Sequence, residues 1–142
     1  MTIREITENY SVSPQIALED LPQIAEAGYS LIIDNRPDGE IPAEIGTDAM
    51  RAAAEAAGLA FIANPVIGGA ITMENVTAQG EAIAGASGRV LAYCASGNRS
   101  SIVWALSQAG NRPTDELVAL PARHGYNMEI WRDQIEALAS GK

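Results

Sequence analysis

The chain has 142 residues, 47% of them hydrophobic and 19% charged, and a formal net charge of −9. That length and balance suit a globular domain with its own core, and residues 1–142 are expected to form a single one. The acidic balance excludes nucleic-acid binding as the main role, because phosphate-backbone affinity rests on basic patches.

The N-terminal residues, Met1 to Glu8, lack the apolar core of a signal peptide. Residues 6–12 predict a first strand running into Ser13-Pro14. Residues 18–27 predict a helix with Pro22 in its first turn and Gly28 as its stop. The apolar run Ser30-Leu-Ile-Ile-Asp34 predicts a buried strand, and Asn35-Arg36-Pro37-Asp38-Gly39-Glu40 a charged loop with strong turn chemistry. Thr47 is the expected cap of a helix over residues 48–57, closed by Gly58. Residues 59–63 predict a third strand, ended by Asn64-Pro65. The apolar loop Val66-Ile67-Gly68-Gly69-Ala70 is of a kind that lines or covers a pocket. Thr72 is the expected cap of a helix over residues 73–86.

The strand Val90-Leu-Ala-Tyr93 comes next, followed by the turn Cys94-Ala-Ser-Gly-Asn-Arg99 and a helix over residues 100–109. Thr114 is the expected cap of the next helix, with Asp115 and Glu116 suiting its first turn. A last helix is predicted over residues 128–139, after Gly125-Tyr126-Asn127. Trp104 and Trp131 read as packing residues, and His124 as a solvated residue at a helix end. The apolar stretch 52–71 is broken by Glu55, Gly58, Asn64 and Pro65, so no membrane span is expected. One histidine and one cysteine cannot build a zinc site, and neither metal nor cofactor is expected. The single cysteine also excludes an internal disulfide and fits a reducing, cytoplasmic setting.

Strands alternating with helices predict an α/β fold with a mostly parallel sheet flanked by helices, its site outside the carboxyl ends of the strands. The turn at Cys94 and the loop at Arg36–Glu40 both follow strands and so share one rim. In the turn, Gly97 permits a positive φ and Asn98 tolerates one, so that amides of Ala95, Ser96, Gly97, Asn98 and Arg99 can converge at the positive end of a helix. A thiol at the rim of that cradle, beside Arg99, is set up to react as a thiolate. Cys94 is therefore the candidate nucleophile and the loop the candidate anion site. Arg36 adds positive charge, and Asp38 is placed to orient Arg99 or to act as an acid.

Ser13-Pro14-Gln15, Asn35-Arg36-Pro37-Asp38-Gly39-Glu40, Tyr93-Cys-Ala-Ser-Gly-Asn-Arg-Ser100 and Gly125-Tyr126 together resemble the phosphatase-like domain of beta-lactamase hydrolase-like proteins. The resemblance implies a dual-specificity protein phosphatase-like fold with the cysteine loop at the carboxyl edge of the sheet. Such domains occur alone or joined to a metallo-hydrolase-like domain linked to sulfide metabolism. Two features depart from the tyrosine phosphatase pattern of His-Cys, five residues, Arg: Tyr93 stands for the histidine, and only four residues separate Cys94 from Arg99. That shorter loop is similar to the active loop of single-domain rhodaneses.

Three chemistries follow for a small anionic substrate. In rhodanese-type sulfur transfer, Cys94 carries a persulfide stabilised by the loop amides and needs no general acid. This is the expected reading, because the ring is small and the 66–70 loop has no carboxylate. In phosphate-ester hydrolysis, Cys94 forms a phosphocysteine, Arg99 clamps the oxygens, Ser100 donates to the departing thiolate, and Asp38 or Glu40 supplies the proton. The third is anion binding or redox sensing without catalysis.

Overall fold

The computed structural model describes residues 2–141. A five-stranded sheet in the order β1-β2-β5-β3-β4 forms the middle layer. Its strands are β1 (Arg4–Glu5), β2 (Tyr10–Ser13), β3 (Tyr29–Asp34), β4 (Ala60–Ala63) and β5 (Arg89–Tyr93). Only β1 runs antiparallel; β2, β5, β3 and β4 are parallel to one another. The mostly parallel sheet expected from the alternating pattern is present.

Side chains alternate across the sheet with the period of a strand, and both faces are covered. On one face Ile32, Leu91 and Tyr93 pack with Leu21 and Ile24 of α1 (Leu21–Glu26) and with Met50 and Ala54 of α2 (Thr47–Ala56). On the other, Val12, Leu31, Ile33, Val90 and Ala92 meet α3 (Met73–Gly85), α4 (Asn98–Ser107), α5 (Thr114–Ala122) and α6 (Arg132–Ser140). The helices that follow the cysteine loop thus finish one side of the core. In α4, residues 100 to 107 are all buried. A helix enclosed on every side cannot shift without disturbing the core, and the cysteine loop is its N-terminal extension.

The register sets the position of the site. Ser13, Tyr93, Asp34 and Ala63 stand side by side at the carboxyl ends of β2, β5, β3 and β4. The residues that follow, Pro14, Cys94, Asn35 and Asn64, therefore leave the sheet along one edge. The ladder runs on past the strands, with Asn35 N donating to Tyr93 O at 2.9 Å and Val66 N to Asn35 O at 2.9 Å.

Several predicted elements are corrected. The strand expected over residues 6–12 is only β2, from Tyr10; residues 6–9 turn the chain back from β1, with Arg4 opposite Val12 and Glu5 opposite Ser11. Thr7 makes the turn between them: its hydroxyl accepts the amides of Asn9 and Tyr10 at 3.2 and 3.1 Å, a local alternative to ladder bonding. Thr47 does not cap α2 but is its first residue; its N–H and O–H both donate to Asp38 Oδ1 at 2.8 Å. Thr114 likewise opens its helix after Pro113 without a side-chain cap. Thr72 caps α3 as expected, accepting Asn75 N at 3.1 Å. The helix expected over 128–139 begins as a 3-10 turn at Glu129–Trp131 and is α-helical only from Arg132. His124 is half-buried and its Nε2 lies 2.7 Å from the Glu5 carbonyl. Trp104 is buried against Tyr10, ring to ring at 5.9 Å. Among the described residues no helix is long and apolar enough to cross a membrane.

Candidate active site

Strand β5 delivers Cys94 to the sheet edge, where the chain must turn at once into α4. Gly97 makes that turn possible with φ +95°, at the N-cap of α4. It also meets a packing limit: a Cβ there would lie 2.3 Å from the Tyr126 hydroxyl. Ser101 fixes the turn from within the helix, its N–H and O–H donating to Gly97 O at 3.0 and 2.9 Å.

The thiol sits at the floor of this turn rather than at its rim: Cys94 is 0% exposed. Gly97 N donates to Cys94 Sγ at 3.1 Å. The Arg99 guanidinium also lies beside the same sulfur, and its pKa is raised, chiefly by its hydrogen bonds to Glu40 and in part by Cys94. Ala95, Ser96 and Asn98 form the exposed wall, with Asn98 N donating to Ser96 Oγ at 3.3 Å. The first-turn amides of α4 have no carbonyl partner within the helix, which makes this end electropositive.

Arg99 is held by Glu40, not by Asp38. Its Nη1 and Nη2 donate to Glu40 Oε2 and Oε1 at 2.7 and 2.8 Å, a bidentate pair, and Nη1 also donates to Val66 O at 2.8 Å. Arg36 reaches the same carboxylate, Nε to Oε1 at 3.3 Å, and donates through Nη1 to Gln15 Oε1 at 3.2 Å. The hydrogen bonds from Arg99 hold the Glu40 carboxyl below the usual carboxylate range. Glu40 is therefore a charged anchor for two guanidinium groups and a poor proton donor. Asp38 serves as the cap of α2 instead. Both acids expected to protonate a leaving group, Asp38 and Glu40, are thus engaged elsewhere.

Ser100 also departs from its expected place. It is 0% exposed, and its Oγ donates to Asn35 Oδ1 at 2.9 Å rather than to the sulfur. Asn35 belongs to a buried set of amides beneath the loop. Its Nδ2 donates to Gln79 Oε1 and to Asn64 O, each at 2.9 Å; Asn64 Nδ2 also donates to Gln79 Oε1 at 2.9 Å, and Gln79 Nε2 to the Tyr10 hydroxyl at 3.0 Å. The Asn35 carbonyl takes the Val66 amide, and the Val66 carbonyl takes Arg99. The network thereby fixes the acceptor that aims the guanidinium. Burial pushes the Asp34 carboxyl up, and pushes the Tyr93 phenol well above its ordinary range, with the Asp34 charge adding to it. Tyr93 is thus a neutral core residue where the phosphatase pattern has a histidine.

Sequence reasoning brought Cys94, Gly97, Arg99 and Arg36 to one place, and they are there. It missed Asn35, Asn64, Gln79 and Tyr126 as supports. Asn35 and Asn64 carried a signal, since each is the first polar amide after an apolar strand. Gln79 carried none, because its partners lie far along the chain, and Tyr126 stood out only in the Gly125-Tyr126 motif of the resemblance, with no sign of its partners.

Comparison with known proteins places these features among relatives. Residues 2–111 match a family described as "Beta-lactamase hydrolase-like protein, phosphatase-like domain". A beta-lactamase hydrolase-like protein of Xylella fastidiosa is 42% identical over 130 residues, covering 90% of this chain and 30% of that protein. One from Agrobacterium fabrum is 31% identical over 125 residues, 87% of this chain and 29% of that protein. The chain thus spans about a third of the length of these curated relatives. A solved Neisseria meningitidis protein, nma1982, described as a candidate phosphatase, shares 32% identity at a TM-score of 0.82, over 97% of this chain and 99% of that one. A cysteine-to-serine form of P. aeruginosa TpbA, solved with phosphotyrosine, matches at a TM-score of 0.69 and 13% identity over 98% of this chain and 88% of that one, which shows the shared fold.

Proposed function

The chain belongs to the family of beta-lactamase hydrolase-like phosphatase-like domains, and from that premise we propose that it hydrolyses phosphate esters through a phosphocysteine at Cys94. The observation that carries this reading is the Cys94 sulfur, bonded to the Gly97 amide at 3.1 Å with the Arg99 guanidinium beside it at the head of α4. A dianionic phosphoryl group presented there meets positive charge from Arg99, Arg36 and the helix end. The thiolate attacks phosphorus in line, the S–P bond forms, and the P–O bond breaks with its electron pair on the leaving oxygen. Water then attacks phosphorus, the sulfur leaves as thiolate, and inorganic phosphate is released.

The engagement of both expected proton donors narrows the substrate. Glu40 is held ionised by Arg99, and Asp38 caps α2. A leaving group must then depart as an anion by its own stability, which favours aryl phosphates such as phosphotyrosine over alkyl phosphates such as phosphoserine. Sulfur transfer, the chemistry expected from the four-residue spacing, also needs no acid, and that spacing favours it as the second reading. The relatives support the phosphoester reading; none of those reported is described as a sulfurtransferase. Ser100 and Asp38 enter this reading as framework for the loop and for α2.

Steady-state assay separates the two. The native chain is expected to turn over para-nitrophenyl phosphate, alkyl phosphates at least about a hundred-fold more slowly, and Cys94→Ser none at all. Arg99→Lys, which cannot make the bidentate pair with Glu40, is expected to lose about a hundred-fold or more in kcat/KM. Turnover of thiosulfate to thiocyanate in the presence of cyanide, with no aryl phosphate hydrolysis, would replace this reading by the second.

A further inference from the structure

The peptide unit joining Ser96 to Gly97 is held at both ends. Its carbonyl oxygen accepts the Tyr126 hydroxyl at 2.8 Å, and its N–H is the one that donates to Cys94 Sγ at 3.1 Å. A trans peptide is planar, with C=O and N–H pointing opposite ways, so whatever fixes the carbonyl fixes the direction of the amide. Tyr126 reaches this position from the far end of the chain, after Gly125, and is buried at 7% exposure. Its hydroxyl in turn accepts Arg4 Nη1, in a short contact, and the Arg4 guanidinium lies 5.5 Å from the centre of its ring. A cationic donor on a hydroxyl oxygen makes that hydroxyl a stronger donor in its own right. Arg4, Tyr126, the Ser96–Gly97 peptide and the sulfur thus form one chain of donors, every link oriented toward Cys94.

We propose that Tyr126, backed by Arg4, is a positioning residue that aims the Gly97 amide at the Cys94 sulfur, where it meets negative charge carried by that atom. The same contact accounts for glycine at position 97, where a Cβ would collide with the hydroxyl at 2.3 Å. The other ionisable groups that act on the sulfur are Arg99, with Glu40 behind it, and the neutral Tyr10 phenol. None of them touches Tyr126 in the described hydrogen bonds, so they stay in place when its hydroxyl is removed. The proposal rests on Cys94 being the nucleophile. Its test reads the sulfur directly, so a chain inactive on phosphate esters would leave this result standing.

Cys94 is the only cysteine, which makes alkylation by iodoacetamide, followed by intact mass, a clean readout. At about pH 7 Tyr126→Phe is expected to alkylate about five-fold more slowly than the native chain, the worth of the one neutral hydrogen bond that holds the peptide. The deficit should shrink as pH rises and base, rather than the amide, comes to supply the anion. Arg4→Gln, which keeps the tyrosine and its packing, should show a smaller deficit of about two-fold with the same trend. Equal rates at neutral pH, or a deficit that persists undiminished at alkaline pH, would reduce Tyr126 to a packing residue. Failure of the native thiol to label at neutral pH would overturn the proposal as well.

Discussion

At the scale of the residue, Gly97 is under two separate constraints. Its φ of +95° lies in the left-handed region, and its missing Cβ makes room for the Tyr126 hydroxyl. Gly97→Ala should therefore cost about 1–3 kcal/mol in denaturant unfolding and lose most activity, because the loop must shift away from the sulfur. Combining it with Tyr126→Phe should recover part of the stability, since the hydroxyl contact at 2.3 Å goes while the ring carbon at 3.0 Å remains. Strict additivity of the two changes would mean that they do not collide. Gly97 was legible in the sequence through its turn chemistry; Tyr126 was not, because no local pattern tells a buried tyrosine that packs from one that also holds a peptide. The pair Asp38 and Glu40 shows a similar limit. Both stand in one turn, and only the fold reveals that the 3-10 turn over Asp38–Glu40 sends the first carboxylate to α2 and the second to Arg99.

At the scale of the element, the carboxyl ends of β3 and β4 and the body of α3 are joined beneath the loop by amides. Gln79 is the hub: it accepts from Asn35 and Asn64 and donates to Tyr10 while 0% exposed. Gln79→Leu takes one of its two acceptors from each of the buried amides of Asn35 and Asn64, which should cost about 2–4 kcal/mol in denaturant unfolding. Because Asn35 also sets the Val66 carbonyl that holds Arg99, kcat/KM for an aryl phosphate should fall in the folded variant, with the loss chiefly in KM if Arg99 binds the ground-state dianion. A stable variant with unchanged kinetics would separate the network from the site. The sheet and most helices were readable, because apolar runs of strand length and helical periodicity survive in this sequence. The hairpin of β1 and β2 was not, since Thr7 turns the chain with a side-chain oxygen inside an otherwise strand-like run. The start of α6 was missed for the same kind of reason: Asn127 Oδ1 accepts Glu129 N at 3.0 Å and delays the helix.

At the scale of the whole molecule, the parallel register brings four strand ends into one row and the enclosed helix α4 gives that row a rigid electropositive head. A chain with a net charge of −9 can still present an anion site, because Arg36 and Arg99 are drawn together around the single carboxylate of Glu40. The architecture was legible as a class, and with it the edge at which the site would form. What the sequence left open was which chemistry a cysteine loop of this size performs, since sulfur transfer and phosphoryl transfer both ask for a thiolate among amides. The structure adds a buried sulfur, a charged Glu40 and an engaged Asp38, and the relatives add the phosphatase-like family. The covalent intermediate decides between them. Native protein mixed with an excess of para-nitrophenyl phosphate, quenched in acid during turnover and weighed intact, should carry the mass of one phosphoryl group, lost in Cys94→Ser. An unmodified mass throughout active hydrolysis, or a phosphoryl group that persists in Cys94→Ser at the native level, would contradict the account.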